Sequence, residues 1–215
     1  RSLPVFYDMP ELFHEGGVPS GAYEIPFGEP DVKKTGNDLT VLSIGATLYR
    51  VVDAARQLQE KHGVSCEIID ARSIVPFKYE KVLASVKKTH KIVLTSDACE
   101  RGSALQTFAA KITQFAFDDL DGPPVVVGSR NWITPADEVE DAFFPQPSDI
   151  IDAVHEHVLP LSGYTPVREC STSDLMRRSA AGGGPPGRTW FVCAAAPCSR
   201  RGVPFAVAGG ERSGQ

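Results

Sequence analysis

The feature that most restricts what this chain can fold into is an alternation running from residue 39 to residue 159. Short apolar runs are each followed by a segment whose apolar residues recur at helical spacing. "LTVLSIG" ends in Gly45, and Thr47 stands where a helix cap would, ahead of Leu48, Val51, Val52, Ala55 and Leu58 on one helical face; Gly63 then supplies the stop. "SCEIID" reads as a second strand, and beyond Pro76 the residues Tyr79, Val82, Leu83 and Val86 mark a second amphipathic helix. "KIVLTSD" is a third strand, with Ser103 as the cap of a helix carrying Leu105, Phe108, Ala109, Ile112 and Phe115. "PPVVVG" is a short fourth, and after a long loop Ser148 caps a last helix through Ile151, Val154 and Val158. A parallel pair of strands needs a crossover connection, and a helix in that connection covers the sheet. The expectation is an α/β fold: a three-layer α/β/α domain with a mostly parallel sheet of about five strands.

Composition divides the chain around that domain. Residues 1–37 include "HEGGVPSGAYEIPFGEPDVKKTGND", crowded with Gly and Pro and without helical period, and read as an extended arm or linker. Residues 38–161 hold the alternating pattern. Residues 162–215 break it: "STSDLMRRSAAG" suits one short helix, but the remainder has no usable period and no lysine, all its basic charge being arginine. That composition fits a disordered tail, and fits equally the product of a frameshift in a GC-rich gene. The net charge of −5 hides an asymmetry, since this last section carries 7 of the 22 basic side chains and only 3 of the 27 acidic ones, leaving the rest of the chain strongly acidic.

An acidic body argues against nucleic acid as a partner. No run approaches the roughly 18 apolar residues of a membrane span, and "RSLPVFYDMPELF" lacks the basic start and apolar centre of a secretory signal. The expectation is a soluble, cytoplasmic protein with no membrane partner. The five cysteines, Cys66, Cys99, Cys170, Cys193 and Cys198, are odd in number and form no CxxC pair, which points away from a metal site or a disulfide framework.

The strand ends are where a doubly wound sheet places ligands. They offer Gly45-Ala46-Thr47, Asp70-Ala71-Arg72, Ser96-Asp97 and Gly128-Ser129-Arg130. A phosphate could sit at Gly45, ahead of a helix N-terminus, but the chain has neither GxGxxG nor GxxxxGK[ST], and Gly45 is read as permitting a tight turn. There is no GxSxG, Cys66 lies inside a strand pattern and reads as core, and His155 and His157 are two apart on a helix and read as surface residues. Asp70 and Arg72 read as a strand-end ion pair or cap, with a subunit contact as the functional alternative. No catalytic, cofactor-binding or metal-binding residue is assigned.

The stretch from Tyr23 to Phe77, "YEIPFGEPDVKKTGNDLTVLSIGATLYRVVDAARQLQEKHGVSCEIIDARSIVPF", resembles the start of the C-terminal, transketolase C-terminal-like domain of the beta subunit of thiamine-dependent 2-oxoacid dehydrogenases, the pyruvate and branched-chain decarboxylase components. The residues that carry the resemblance are Tyr23, Pro26, Gly28, Gly45, Asp70, Arg72 and Pro76, and "KTHKIVLTSDA" and "LDGPPVVVGSRN" continue it in order and spacing to about residue 161. The resemblance implies that Gly45, Asp70, Arg72 and Pro76 serve architecture and subunit packing. It implies that a preceding pyrimidine-binding domain supplies the catalytic glutamate and histidine, so that thiamine diphosphate and Mg²⁺ are bound mainly outside this chain.

It further implies a heterotetramer with an alpha subunit and a second beta subunit, and docking to the subunit-binding domain of a dihydrolipoyl acyltransferase, for which Asp121 occupies the partner-binding position. In a eukaryote it implies the mitochondrial matrix. Two departures stand out: Lys78 follows Pro76-Phe77 where Asp is common in the family, and "RNWITPADEVED" stands where many members have Asp-x-Pro-x-Pro. The other readings are the C-terminal domain of a transketolase or deoxyxylulose phosphate synthase, and a free-standing binding module.

Overall fold

A computed structural model describes residues 21–167, apart from 137 and 139. The tail expected over residues 162–215 therefore lies outside the described residues from 168 onward. Five strands form one sheet: β1 (Asp31–Lys34), β2 (Leu39–Ile44), β3 (Cys66–Asp70), β4 (Ile92–Cys99) and β5 (Val125–Ser129), in the order β1-β3-β2-β4-β5. β2, β3, β4 and β5 run parallel, and β1 joins the outer edge of β3 antiparallel. The helices are α1 (Thr47–His62), α2 (Glu80–Thr89), α3 (Ala104–Ala116), the short α4 (Glu140–Phe143) and α5 (Pro147–His157).

Adjacent residues of each central strand feed opposite cores, as a period of two requires. Val41, Ile68 and Val93 pack with α1 and α5, while Leu42, Ile69 and Leu94 pack with α2 and α3. Strands covered on both faces must be apolar throughout, which is why β2, β3 and β4 read as unbroken hydrophobic runs. The three-layer α/β/α domain with a mostly parallel five-stranded sheet is the fold observed.

Several local expectations change. β1 lies inside the segment read as an arm, because a half-buried edge strand such as Asp31-Val32-Lys33-Lys34 buries only one side and carries no apolar run. Thr47 is not a cap: Gly45, at φ 72°, already turns the chain, Ala46 takes the N-cap position, and the Thr47 hydroxyl is buried with no hydrogen-bond partner. Ser103 does hold the N-cap of α3 but makes no side-chain capping bond. For α5 the cap is Gln146 rather than Ser148, in a reciprocal capping box with Asp149 behind Pro147. In α3 the buried stripe is Leu105, Phe108, Ile112 and Ala116, which leaves Phe115 outside the core. β4 continues past Asp97 to Cys99.

His155 is a half-buried structural group, its Nδ1 accepting the Leu161 N–H at 2.9 Å and its ring 5.4 Å from Tyr164. Tyr164 and Val167 lie beyond the expected domain limit yet are tied down: the Tyr164 hydroxyl (2.7 Å) and the Val167 N–H (3.0 Å) both donate to Asp152 Oδ1.

Candidate functional site

Most residues of the motif meet at the carboxyl end of β3. The strand's hydrogen bonding continues one residue further, the Ala71 N–H donating to Ser43 O at 2.9 Å. Arg72 then adopts the left-handed region (φ 57°), its N–H donating to Asp70 Oδ1 at 3.1 Å. The guanidinium does not pair with Asp70. It crosses to Asp31 of β1 at 2.5 Å, and Lys33 meets the same carboxylate at 2.8 Å. The pairing expected within Asp70-Ala71-Arg72 is thus split into a backbone cap from Asp70 and a cross-strand ion pair to Asp31.

Pro76, after a cis peptide bond, closes the other side of this knot. Its carbonyl accepts the Ser73 hydroxyl at 2.8 Å, and Gly28 lies against it so closely that a Cβ there would stand 2.9 Å from Pro76 O. Gly28 is also at φ 77°, so both conformation and space require glycine. The Lys78 N–H donates to Gly28 O at 2.8 Å. Lys78 itself reaches Glu29 at 3.8 Å beside Lys81 at 2.8 Å. The hydrogen bond from Lys81, with its charge, holds the Glu29 carboxyl below its ordinary range. Lys78, noted above as a departure from the resemblance, therefore faces a carboxylate.

The segments that lead into and form this knot carry apolar side chains that the domain does not bury: Tyr23, Ile25, Phe27, Ile74 and Val75. The loop after β5 adds Trp132 and Ile133, the latter 92 % exposed. That loop is anchored at its base by the Arg130 N–H to Phe143 O (3.1 Å) and the Arg101 N–H to Asn131 Oδ1 (3.0 Å). Gly45 belongs to the same end of the sheet, with Asp97 Oδ1 3.6 Å from where its Cβ would be. A carboxylate beside the N-terminus of α1 opposes the binding of an anion there, so Gly45 serves the turn.

Asp121 lies at the opposite end, just before β5. Its N–H donates to His90 O at 2.9 Å, and its exposed carboxylate accepts Lys91 Nζ at 2.7 Å. That hydrogen bond, followed by the lysine's charge, lowers its pKa. Sequence reasoning missed Lys91, Asp31 and Glu29, whose roles depend on pairings across the sheet. It also missed Glu67, buried at the start of β3, which takes hydrogen bonds from Lys88 and from the Gly36 N–H at 3.3 Å. Burial pushes the Glu67 carboxyl up, but the bonds from Lys88, Ser85 and Gly36 outweigh it and leave the group ionised below its ordinary range.

Cys66 is buried, and burial pushes its thiol up to about 12, so it is a core residue. Among the described residues no three His, Cys, Asp or Glu side chains are grouped to hold a metal ion. A recess of about 80 Å³ over Val52 and Ile68 is lined by Lys33, Lys34 and Arg56, too small for thiamine diphosphate and of the wrong charge for Mg²⁺. That recess does not fit the cofactor, and no chemical step is assigned to the residues around it. No helix among them is long and apolar enough to cross a membrane.

The arrangement has known counterparts. The beta subunit of the acetoin:2,6-dichlorophenolindophenol oxidoreductase of Bacillus subtilis is 32 % identical over 156 residues, 71 % of this chain and 45 % of the relative. The mitochondrial 2-oxoisovalerate dehydrogenase subunit beta of Dictyostelium discoideum is 37 % identical over 123 residues, 56 % of this chain and 33 % of the relative. The pyruvate dehydrogenase E1 component subunit beta of Mesostigma viride is 32 % identical over 156 residues, 71 % and 47 % of the two chains. The chain thus spans less than half the length of these relatives. In three dimensions a solved split-gene transketolase, an inactive beta4 tetramer, superposes with a TM-score of 0.54 at 20 % identity over 68 % of this chain and 46 % of that one, which supports the fold. The model of the transketolase C-terminal domain matches residues 28–150, from the glycine packed on Pro76 to the first turn of α5, and the chain belongs to that family.

Proposed function

We propose that this chain serves as the C-terminal domain of the beta subunit of a thiamine-dependent 2-oxoacid dehydrogenase, holding subunits together and docking the dihydrolipoyl acyltransferase core. The observation that carries the assembly role is the number of unburied apolar side chains on the segments that lead into or follow the carboxyl end of the sheet, Tyr23, Ile25, Phe27, Ile74, Val75, Trp132 and Ile133. Single exposed apolar residues are ordinary, but several of them on segments at one end of a sheet suit a protein interface. Gly45, Asp70, Arg72 and Pro76 then act by fixing the backbone from which those side chains project. An alpha subunit and a second beta subunit are the partners proposed for it.

The parent reaction would be oxidative decarboxylation of a 2-oxoacid with acyl transfer to lipoamide. Thiamine diphosphate with Mg²⁺ supplies that chemistry, held by parts of the subunit that this chain does not span. The purified chain, given thiamine diphosphate, Mg²⁺ and pyruvate or a branched-chain 2-oxoacid, is expected to show no decarboxylation above background. Turnover by the chain alone would overturn the reading.

Docking is assigned to Asp121, whose carboxylate is exposed and has lone pairs left beside its bond from Lys91. Titration of the chain with the cognate acyltransferase subunit-binding domain tests this. Asp121→Asn is expected to weaken binding by about two- to tenfold at low salt, less as salt rises. Equal affinity of the two proteins would remove Asp121 from the interface.

A further inference from the structure

The recess between β1 and α1 joins an apolar floor to a cationic rim. Val52 of α1 and Ile68 of β3 are buried beneath it, and Lys33, Lys34 and Arg56 complete a lining that encloses about 80 Å³. Strict alternation along a strand sends neighbouring side chains to opposite faces, so Lys33 and Lys34 should not share a cavity. They do because the register of β1 slips between Val32 and Lys34, where two steps of β1 answer one step of β3, and a bulge of this kind re-aims side chains. Arg56 comes from the facing wall, one helical turn after Val52.

Two of the three cations are tethered on one side. Lys33 Nζ lies 2.8 Å from Asp31 Oδ2, and Arg56 Nη1 lies 3.3 Å from Asp53 Oδ1. An ammonium or a guanidinium carries more donors than one carboxylate oxygen takes up. Lys34 is half-buried and meets no carboxylate among the described residues. Its charge reaches Cys66, where burial raises the thiol and Lys34 pulls the other way. A half-buried ammonium without a counter-ion is a cost, and in a chain of net charge −5 three cations converging on one cavity run against the overall balance.

Size and charge together name the ligand. A single water needs roughly 10–15 Å³ of such space, so the recess has room for one small oxyanion and for little more. Donors that converge from a strand and from a helix suit a tetrahedral oxyanion, and the guanidinium fork matches phosphate geometry. We propose that the recess is a binding site for a phosphoryl group, held by Lys34 together with Lys33 and Arg56 over Val52 and Ile68. The group belongs either to inorganic phosphate or to a phosphate monoester whose organic part lies outside the recess. The site is independent of the assembly role, since every residue that lines it comes from this chain.

NMR titration of the full 215-residue chain with inorganic phosphate and with methyl phosphate, at ionic strength held constant with sodium chloride, tests this through the backbone amides of Lys34, Val52 and Ile68. Saturable shifts at these amides are expected. Tighter binding of phosphate supports the free anion as the ligand, and tighter binding of methyl phosphate supports the monoester. Lys34→Gln is expected to weaken binding about tenfold or more, and Arg56→Gln about threefold to tenfold. Lys87→Gln, at an exposed position of α2 on the other face of the sheet, is expected to leave it unchanged. Because the ligand binds the folded chain, phosphate should also raise Tm above that in chloride of equal ionic strength, and Lys34→Gln should lose the rise. Absence of shifts at the three amides with both anions overturns the proposal. So does equal affinity of the unaltered chain and both recess variants, or a loss in Lys87→Gln as large as in Lys34→Gln, which would mean diffuse attraction only.

Discussion

The two ends of the sheet are built on opposite principles. At the amino end, polar groups are buried and satisfied: the Thr40 hydroxyl lies 2.6 Å from those of both Ser85 and Thr89 on α2, and Glu67 joins Lys88 and the Gly36 N–H. At the carboxyl end, the hydroxyls of Thr47, Ser103 and Ser129 are buried with no partner, and large apolar side chains stand in solvent. A closed network with every member satisfied specifies one packing, whereas unmatched groups and exposed apolar surface are costs that a free domain has no reason to accept. The difference teaches that the amino end carries a satisfied polar network even beside the exposed Phe115 and Phe117, while the carboxyl end leaves buried hydroxyls unmatched.

The sharpest break of the amino end is Gly36→Ala. Between β1 and β2 the chain passes under β3 so tightly that a Cβ on Gly36 would stand 2.2 Å from the carbonyl carbon of Cys66 and 2.5 Å from the Glu67 nitrogen. Backbone cannot yield as a side chain can, and a loss of about 3 kcal/mol or more is expected in chemical denaturation. Gly28→Ala at the carboxyl end meets Pro76 O at 2.9 Å and a left-handed backbone, for about 1–3 kcal/mol. Equal costs at the two glycines would contradict the view that the amino end is the more tightly built.

Glu67→Ala comes next, at about 1–3 kcal/mol, because it strands the Gly36 N–H and the Lys88 ammonium together. The same group sets a pH dependence. Its folded pKa is lowered, so the stabilisation is fully present above the unfolded value of about 4.3 and is lost as pH falls through the folded value. Acid denaturation followed by circular dichroism should show the Glu67→Gln variant less sensitive to pH below about 4 than the unaltered chain.

Two threonine substitutions then oppose one another in sign. Thr40→Val removes one partner each from Ser85, which keeps Glu67, and Thr89, which keeps the carbonyls of Ser85 and Lys91, and is expected to cost about 1 kcal/mol, whereas Thr47→Val removes an orphaned hydroxyl without changing shape and is expected to be neutral or stabilising by up to about 1 kcal/mol. Destabilisation by both, in thermal melts, would mean that the Thr47 hydroxyl finds a partner in solution. The smallest effect on stability is expected from Phe27→Ser with Val75→Ser, within about 0.5 kcal/mol, since both side chains are more than four-fifths exposed. If the carboxyl end is an assembly face, the same pair should nevertheless weaken association with the alpha subunit in sedimentation experiments.

Much of the fold was legible because it rests on local periodicity. The apolar runs at β2, β3 and β4 and the helical faces of α1, α2 and α3 are repeats of two and of three to four, and they place strands and helices in the right order. Phe115 shows the limit of that reading, since a stripe of Phe108, Ile112 and Phe115 and a stripe of Phe108, Ile112 and Ala116 differ by one step, and only packing against β4 and β5 selects the second. β1 shows another limit: four residues with three charges form a strand only because the outer edge of β3 is there to pair with.

For the candidate site the division is sharper. The family resemblance marked Gly28, Asp70, Arg72 and Pro76, and the sequence by itself marked Gly45 through the strand-to-helix turn and Asp70 and Arg72 as a strand-end pair. What each touches was decided by tertiary structure: Arg72 is held by Asp31, Gly28 is pressed on Pro76, Lys78 faces Glu29 and Asp121 is held by Lys91. Those partners come together only when β1 turns back against β3 and when α2 and α3 bring the ends of β4 and β5 side by side. Periodicity within one segment determines which face of an element is apolar, and it carries no information about which charge on a distant segment will stand opposite.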